Sequence, residues 1–244
     1  MARKRFNLDK ATLDGASILI HGGYGKGKTH LAGDMLRTEQ AHGEVMFLNI
    51  PGEDGWKTTS AMGLGDVGVE IEDFADLRAL IDEYTEKPIR ALALDSAKFV
   101  SRLIERFVTG SDRTPRVTSN GPNEWGEVNR HLETTFSKLR RCAKYVMVVS
   151  PSDKSVDQLS GRTLWTPDLP GRNAVGSAGW FDFVFVVDLE GTGPGRVSRI
   201  LRTGISNDIV IRTRSPKPLP ASIDLPEGGG GWKVLLDTLN KAYA

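Results

Sequence analysis

Apolar residues fall along this chain in two rhythms. Continuous apolar runs occur at Ser17-Ile18-Leu19-Ile20-His21, Val45-Met46-Phe47-Leu48-Asn49-Ile50, Ile89-Arg90-Ala91-Leu92-Ala93-Leu94, Tyr145-Val146-Met147-Val148-Val149-Ser150 and Phe183-Val184-Phe185-Val186-Val187. Such runs predict strands buried on both faces, because a strand with one wet face alternates instead. Between them, apolar positions return at helical spacing. One set is Leu31, Met35 and Leu36, and a second is Phe74, Leu77, Leu80, Ile81 and Tyr84. A third turns Val100, Leu103, Ile104, Phe107 and Val108 inward, and a fourth carries Trp125, Val128, Leu132, Phe136 and Leu139. Strand and helix alternating in this order predict an α/β fold, a mostly parallel twisted sheet flanked by helices on both faces.

Turn-forming residues punctuate the pattern. Gly43 ends the first helix, Pro51-Gly52 stops the second strand, and Pro88 separates a helix from the third strand. Residues 56–69 read as a loop or short irregular elements. Residues 110–123, rich in Gly, Ser, Pro, Thr and Asn and carrying Arg113 and Arg116, read as a mobile excursion. Residues 151–180 are polar and broken by Gly and Pro, which fits an extended loop or lid. Gly191, Gly193, Pro194 and Gly195 then form a turn, from which residues 197–202 return as the second arm of a hairpin. Ile209-Val210-Ile211 is a further short strand. The glycines at 228–231 read as a flexible joint before Trp232 and a terminal segment carrying Val234, Leu235, Leu236 and Leu239. The expected organisation is one domain over residues 1–226, with a basic N-terminal arm and the late hairpin, and a glycine-linked segment at 227–244.

The first strand opens directly into Gly22-Gly23-Tyr24-Gly25-Lys26-Gly27-Lys28-Thr29, the spacing G-x-x-x-x-G-K-T. Between a strand and a helix this is a phosphate-binding loop. Its glycines let backbone N–H groups converge on phosphate, and the helix N-terminus adds partial positive charge. Lys28 can reach the β- and γ-phosphates, and the Thr29 hydroxyl can ligate Mg²⁺. Asp95 closes an apolar strand, where open α/β sheets bind ligands, and can hold Mg²⁺ through water; capping the next helix is its other reading. Glu53, just past the second strand, is placed to act as general base through one water. Asp54 is its rival, and an exposed acidic turn is the third reading. Ser150, at the end of the fourth strand, can sense a γ-phosphate or simply cap the strand.

Composition excludes more than it assigns. Cys142 is the single cysteine, so neither a disulfide framework nor a structural zinc site is supported. The basic start Ala2-Arg3-Lys4-Arg5 is not followed by a long apolar region, and no run approaches a membrane span, so an intracellular protein is expected. Formal charge is +1, from 32 basic and 31 acidic residues, which does not announce a nucleic-acid binder. Locally, Arg196, Arg199, Arg202, Arg212, Arg214 and Lys217 face only Asp208, a patch that can attract phosphate or serve as a solvated strand face.

These motifs resemble the RecA-type ATPase core, specifically the short phage-encoded RecA-like ATPases linked to single-strand annealing and recombination. The resemblance spans roughly residues 15–225. It rests on the Gly22–Thr29 loop, on Leu48-Asn49-Ile50-Pro51-Gly52-Glu53 and on Ala91-Leu92-Ala93-Leu94-Asp95-Ser96. Trp125-Gly126-Glu127-Val128-Asn129-Arg130, which opens the long helix, and the sensor position Ser150 complete it. Three departures stand out: Pro51-Gly52 precedes Glu53, no Gln or His switch follows Ser150, and the family's DNA-binding loops are not recognisable by sequence. The resemblance implies ATP and Mg²⁺ as cofactors, hydrolysis assisted by Glu53, and single-stranded DNA as partner. It also implies a homo-oligomer with nucleotide at the subunit interface, phage recombination or replication proteins as partners, and the host cytoplasm as location. Residues 151–178, with Lys154, Arg162, Arg172 and Asn173, occupy the region of the family's DNA-binding loops, and Trp165 or Tyr24 can stack on a base or equally serve as packing residues. Among Arg212, Arg214 and Lys217, Arg214 is favoured as the cation reaching a neighbour's γ-phosphate, with surface salt-bridging the rival reading for each of them. Other functions on the same core are a non-hydrolysing ATP-switched scaffold, a helicase-loader-like protein and a small-molecule kinase.

Overall fold

The computed structural model describes residues 13–117, 123–156, 161, 163–193 and 196–244. The basic N-terminal arm, Arg162 and part of the 110–123 excursion lie outside these.

In chain order the elements are β1 (Ala16–Gly22), α1 (Lys28–Glu39), β2 (Val45–Asn49), α2 (Gly55–Ala61), β3 (Gly68–Glu70), α3 (Phe74–Glu86), β4 (Ile89–Asp95), α4 (Ala97–Thr109) and α5 (Glu124–Leu139). There follow β5 (Ala143–Val156), β6 (Thr163–Pro167), α6 (Asn173–Gly176), β7 (Phe183–Gly193), β8 (Arg196–Arg202), β9 (Arg212–Thr213), β10 (Ser222–Leu225) and α7 (Gly231–Tyr243). The main sheet runs β10-β8-β7-β1-β5-β4-β2-β3. From β7 to β3 every neighbouring pair is parallel. β8 and β10 extend it antiparallel, as the late hairpin and its outer strand, and β9 pairs with the start of β7. This is the mostly parallel, helix-flanked sheet that the strand and helix pattern predicts, and it matches the RecA-like P-loop core that the resemblance implies.

Alternate residues of each central strand feed two separate cores. Ile18, Ile20, Phe47, Ala93, Met147 and Phe185 face α1 and α7, where Leu31, Met35, Leu36, Trp232 and Leu235 meet them. Leu19, Leu48, Leu94, Val148 and Val184 face α3, α4 and α5, which bring Leu77, Ile104, Val128 and Phe136. Both faces are therefore dry, which is why these strands read as unbroken apolar runs.

Four local expectations change. Residues 56–69 hold α2 and the edge strand β3. α2 buries only Gly55 and Thr59, too little to leave a periodic signature. Residues 151–180 are not an extended loop. β5 runs past the parallel sheet to Val156, and Ser152–Val156 pair antiparallel with Thr163–Pro167 of β6. The strand expected at 209–211 is a single bridge between Ile209 and Trp165, with β9 starting at Arg212. Phe107 is half exposed, its ring edge-on to Phe74 and His131 rather than in the core.

Candidate nucleotide-binding site

Because β1, β2, β4 and β5 are parallel, their carboxyl ends share one sheet edge, where the loop joining β1 to α1 lies. Gly22 and Gly27 show why that loop needs glycine. A Cβ on Gly22 would overlap the Val187 carbonyl, and Gly27, at φ 91°, caps α1 in the left-handed region beneath the Arg199 guanidinium. Lys28 is buried and donates from Nζ to the Gly23 carbonyl at 2.8 Å. Burial holds its ammonium below the usual lysine range, against the pull of Asp95 and Glu53.

Thr29 Oγ1 donates to Asp95 Oδ2 at 2.6 Å, joining the loop to the end of β4. Asp95 is 2% exposed, and burial raises its carboxyl to about 6. Glu53 adds to that rise, while the Thr29 bond and Lys28 oppose it. Ser96, the next residue, donates from Oγ to Glu53 Oε2 at 3.0 Å. Asp54 instead pairs with Lys57 at 2.7 Å and is turned to solvent. The loop lysine and threonine, the strand-end aspartate and Glu53 thus form one contiguous constellation.

Asn49 extends it. It is the register partner of Asp95 on β2, and its buried Oδ1 has no hydrogen-bond partner among the described residues. Thr29, Asp95 and this orphaned acceptor fit Mg²⁺, which takes few protein oxygens and keeps waters and phosphate oxygens. Among the described residues no cluster of three or more His, Cys, Asp or Glu could form an all-protein metal cage.

A family model described as an AAA domain matches residues 14–216. The chain belongs to that family. No curated protein matches it. Among solved structures it is similar to the flagellar accessory protein FlaH from Methanocaldococcus jannaschii, with 11% identity over 87% of this chain and 85% of that one and a TM-score of 0.44.

The remaining candidates of this AAA domain are dispersed around the constellation. Tyr24, 71% exposed, and Lys26 form the outer lip of the loop, and Lys26 reaches Asp188 at 3.6 Å. Gly23 and Gly25 lie between β1 and α1 in the same loop. Ser150 is fully buried beside the loop's base. Its hydroxyl donates to the Pro151 carbonyl at 2.9 Å and accepts the Asp168 N–H at 3.2 Å. Asp168 in turn pairs with Lys98 at 2.6 Å. Arg214 lies at the opposite edge of the sheet, bound to Asp182 at 3.1 Å just before β7, so one chain does not bring it to its own loop.

Three residues at or near the site escaped the sequence reading. Asn49 was visible only as a polar residue within an apolar run. Arg199 was one of six basic residues in a patch, and nothing in the sequence sets it over Gly27. His21 is the β1 residue just before Gly22 and the loop. Its Nε2–H donates to the Val210 carbonyl at 2.9 Å, which leaves Nδ1 to accept the Ser152 hydroxyl at 2.8 Å. This ring ties the base of the phosphate loop to the β5–β6 ribbon. Among the described residues no helix is long and apolar enough to cross a membrane.

Proposed function

We propose that this AAA domain is an Mg²⁺-dependent ATPase whose turnover is coupled to single-stranded DNA. The observation that carries the ATPase reading is the chain of contacts Thr29–Asp95 and Ser96–Glu53, which sets the loop, the strand-end aspartate and a carboxylate side by side. Lys28 exchanges its Gly23 carbonyl for phosphate oxygens when ATP enters. Glu53, oriented by the Ser96 hydroxyl, takes a proton from the attacking water as its oxygen bonds to the γ-phosphorus and the bond to ADP breaks. Thr29 and Asp95 would hold Mg²⁺, which supplies charge neutralisation on the phosphates. Arg214 serves a neighbouring subunit's γ-phosphate, so nucleotide lies at the interface of a homo-oligomer.

The β5–β6 ribbon supports the DNA reading. It projects beyond the parallel sheet, and Lys154 Nζ stands 4.8 Å from the ring centroid of Trp165, which is 41% exposed. A cation beside an accessible indole suits a phosphate next to a stacked base. His21 connects this ribbon to the phosphate loop. A role in phage-type recombination or strand annealing, with phage replication proteins as partners in the host cytoplasm, follows from the family resemblance.

The test is ATP hydrolysis with Mg²⁺, with and without single-stranded DNA, for wild type, Lys28→Ala and Glu53→Gln. Loss of turnover in Lys28→Ala and a drop of about 10²-fold or more in Glu53→Gln with ATP binding kept are expected. ATP binding without any turnover in wild type would instead make the chain an ATP-switched scaffold. Turnover indifferent to DNA would remove the DNA reading alone.

A further inference from the structure

We infer that Arg199 on β8 holds the α-phosphate of the nucleotide bound by its own chain. The inference rests on the nucleotide-site reading and adds a residue, and a direction for the ligand, that the loop motif does not contain.

The direction comes from the strand order. Asp95 ends β4 and Glu53 follows β2, and both strands lie to one side of β1, beyond β5. β7 and β8 lie to the other side. A nucleotide whose γ-phosphate points toward Asp95 and Glu53 therefore runs its α-phosphate and nucleoside toward β7 and β8. The loop backbone is built to cradle the α- and β-phosphates on the way.

On that flank the β7–β8 hairpin supplies Asp188, Arg199 and Arg202. Asp188 is already engaged by Lys26 at 3.6 Å and by Arg202 Nε at 3.2 Å. Arg199 is placed differently. Its guanidinium lies over Gly27, so close that a side chain at 27 would collide with it, and its Nε is buried without a hydrogen-bond partner among the described residues. Burial and then the Arg199 charge hold the His30 imidazole below its usual range, which places this cation beside the first turn of α1. A guanidinium is always charged and presents a planar fork that fits phosphate oxygens. A buried, unsatisfied donor in that fork at the rim of a phosphate loop is explained by an anion that completes it.

The α-phosphate is common to ATP and ADP, so both should lose affinity together. The experiment titrates ADP and a non-hydrolysable ATP analogue, with Mg²⁺, into wild type, Arg199→Gln and Arg199→Lys, with thermal melting as a folding control. Lys233→Ala, the same charge loss at an exposed position of α7 paired with Asp237, serves as comparator. Dissociation constants for both nucleotides are expected to rise about tenfold or more in Arg199→Gln, with partial recovery in Arg199→Lys and no change in Lys233→Ala. Unchanged affinities in a folded Arg199→Gln would overturn the inference and leave the nucleotide site standing. A loss confined to the ATP analogue would overturn it too, by moving the contact to the γ-phosphate. Wild type that binds neither nucleotide would overturn the site reading itself.

Discussion

Asp95 concentrates the conflict between stability and chemistry at a single residue. Its folded carboxyl, raised to about 6 from an ordinary 3.8, is more comfortable protonated. The sign follows from linkage: between those values the folded state binds more proton than the unfolded one, so this group's contribution falls as pH rises from about 4 to 6. At neutral pH the nucleotide-free protein therefore carries a buried charge that Lys28 and Thr29 only partly offset. Asp95→Asn keeps the shape and an acceptor for Thr29 without the charge. It is expected to stabilise the nucleotide-free protein by about 1–3 kcal/mol at pH 7.5 while abolishing Mg²⁺-dependent turnover. Urea unfolding beside a rate assay checks both, and an unstabilised variant would mean the charge is already fully compensated. Asp95, Lys28 and Thr29 were legible because motif spacing carries them. Asn49 and Arg199 were not, because their roles arise only when β2 meets β4 and the β7–β8 hairpin meets Gly27.

Among the elements, the central strands were legible for the same reason that they are stable. Ile18 to Ile20 and Ala91 to Leu94 are covered on both faces, so burial is written into composition. The β5–β6 ribbon was illegible because Ser152, Asp153 and Lys154 leave the two-layered core and hold their strand by backbone pairing. His21 adds a side-chain tie to that ribbon, and its ring must be neutral for Nδ1 to accept from Ser152. Burial, with the nearby Lys28 charge adding to it, lowers its pKa to about 4 from 6.5, with the Val210 bond opposing. Here the unfolded chain takes the proton first, so stability is lost as pH falls from about 6.5 to 4. The loss attributable to this residue is on the order of 3 kcal/mol. His21→Gln retains a donor and an acceptor but cannot titrate. Compared by urea unfolding at pH 7 and pH 4, it should lose less stability than wild type by roughly that amount. Equal losses would show that His21 protonates without disturbing the ribbon.

At the scale of the whole molecule, the helix that opens with Lys28 and Thr29 is clamped between the sheet and α7. Asp34 of α1 is buried and accepts the backbone N–H groups of Gly230 at 3.0 Å and Trp232 at 2.8 Å, capping α7 from a neighbouring helix. Glu39 accepts Trp232 Nε1 at 2.8 Å and pairs with Arg90 at 2.6 Å. In the sequence the glycines at 228–231 read as a flexible joint. The structure uses the positive φ of Gly228, Gly229 and Gly230 to turn the chain so that Trp232 enters the core. Trp232→Ala should therefore lose about 3–5 kcal/mol, and Trp232→Phe, which mainly strands the Glu39 oxygen, about 1–3 kcal/mol. The bonds from Trp232 to α1 go to Asp34 and Glu39, beyond Lys28 and Thr29, so the two functions of that helix should separate. Saturation with Mg²⁺–ATP at a hundredfold excess over Kd adds about 2.7 kcal/mol to any form whose site is intact. Trp232→Phe should gain the same increment as wild type from a lower starting stability, measured by urea unfolding with and without nucleotide. A smaller increment would mean that α7 also sets the geometry of Lys28 and Thr29, and that the terminal helix belongs to the nucleotide site.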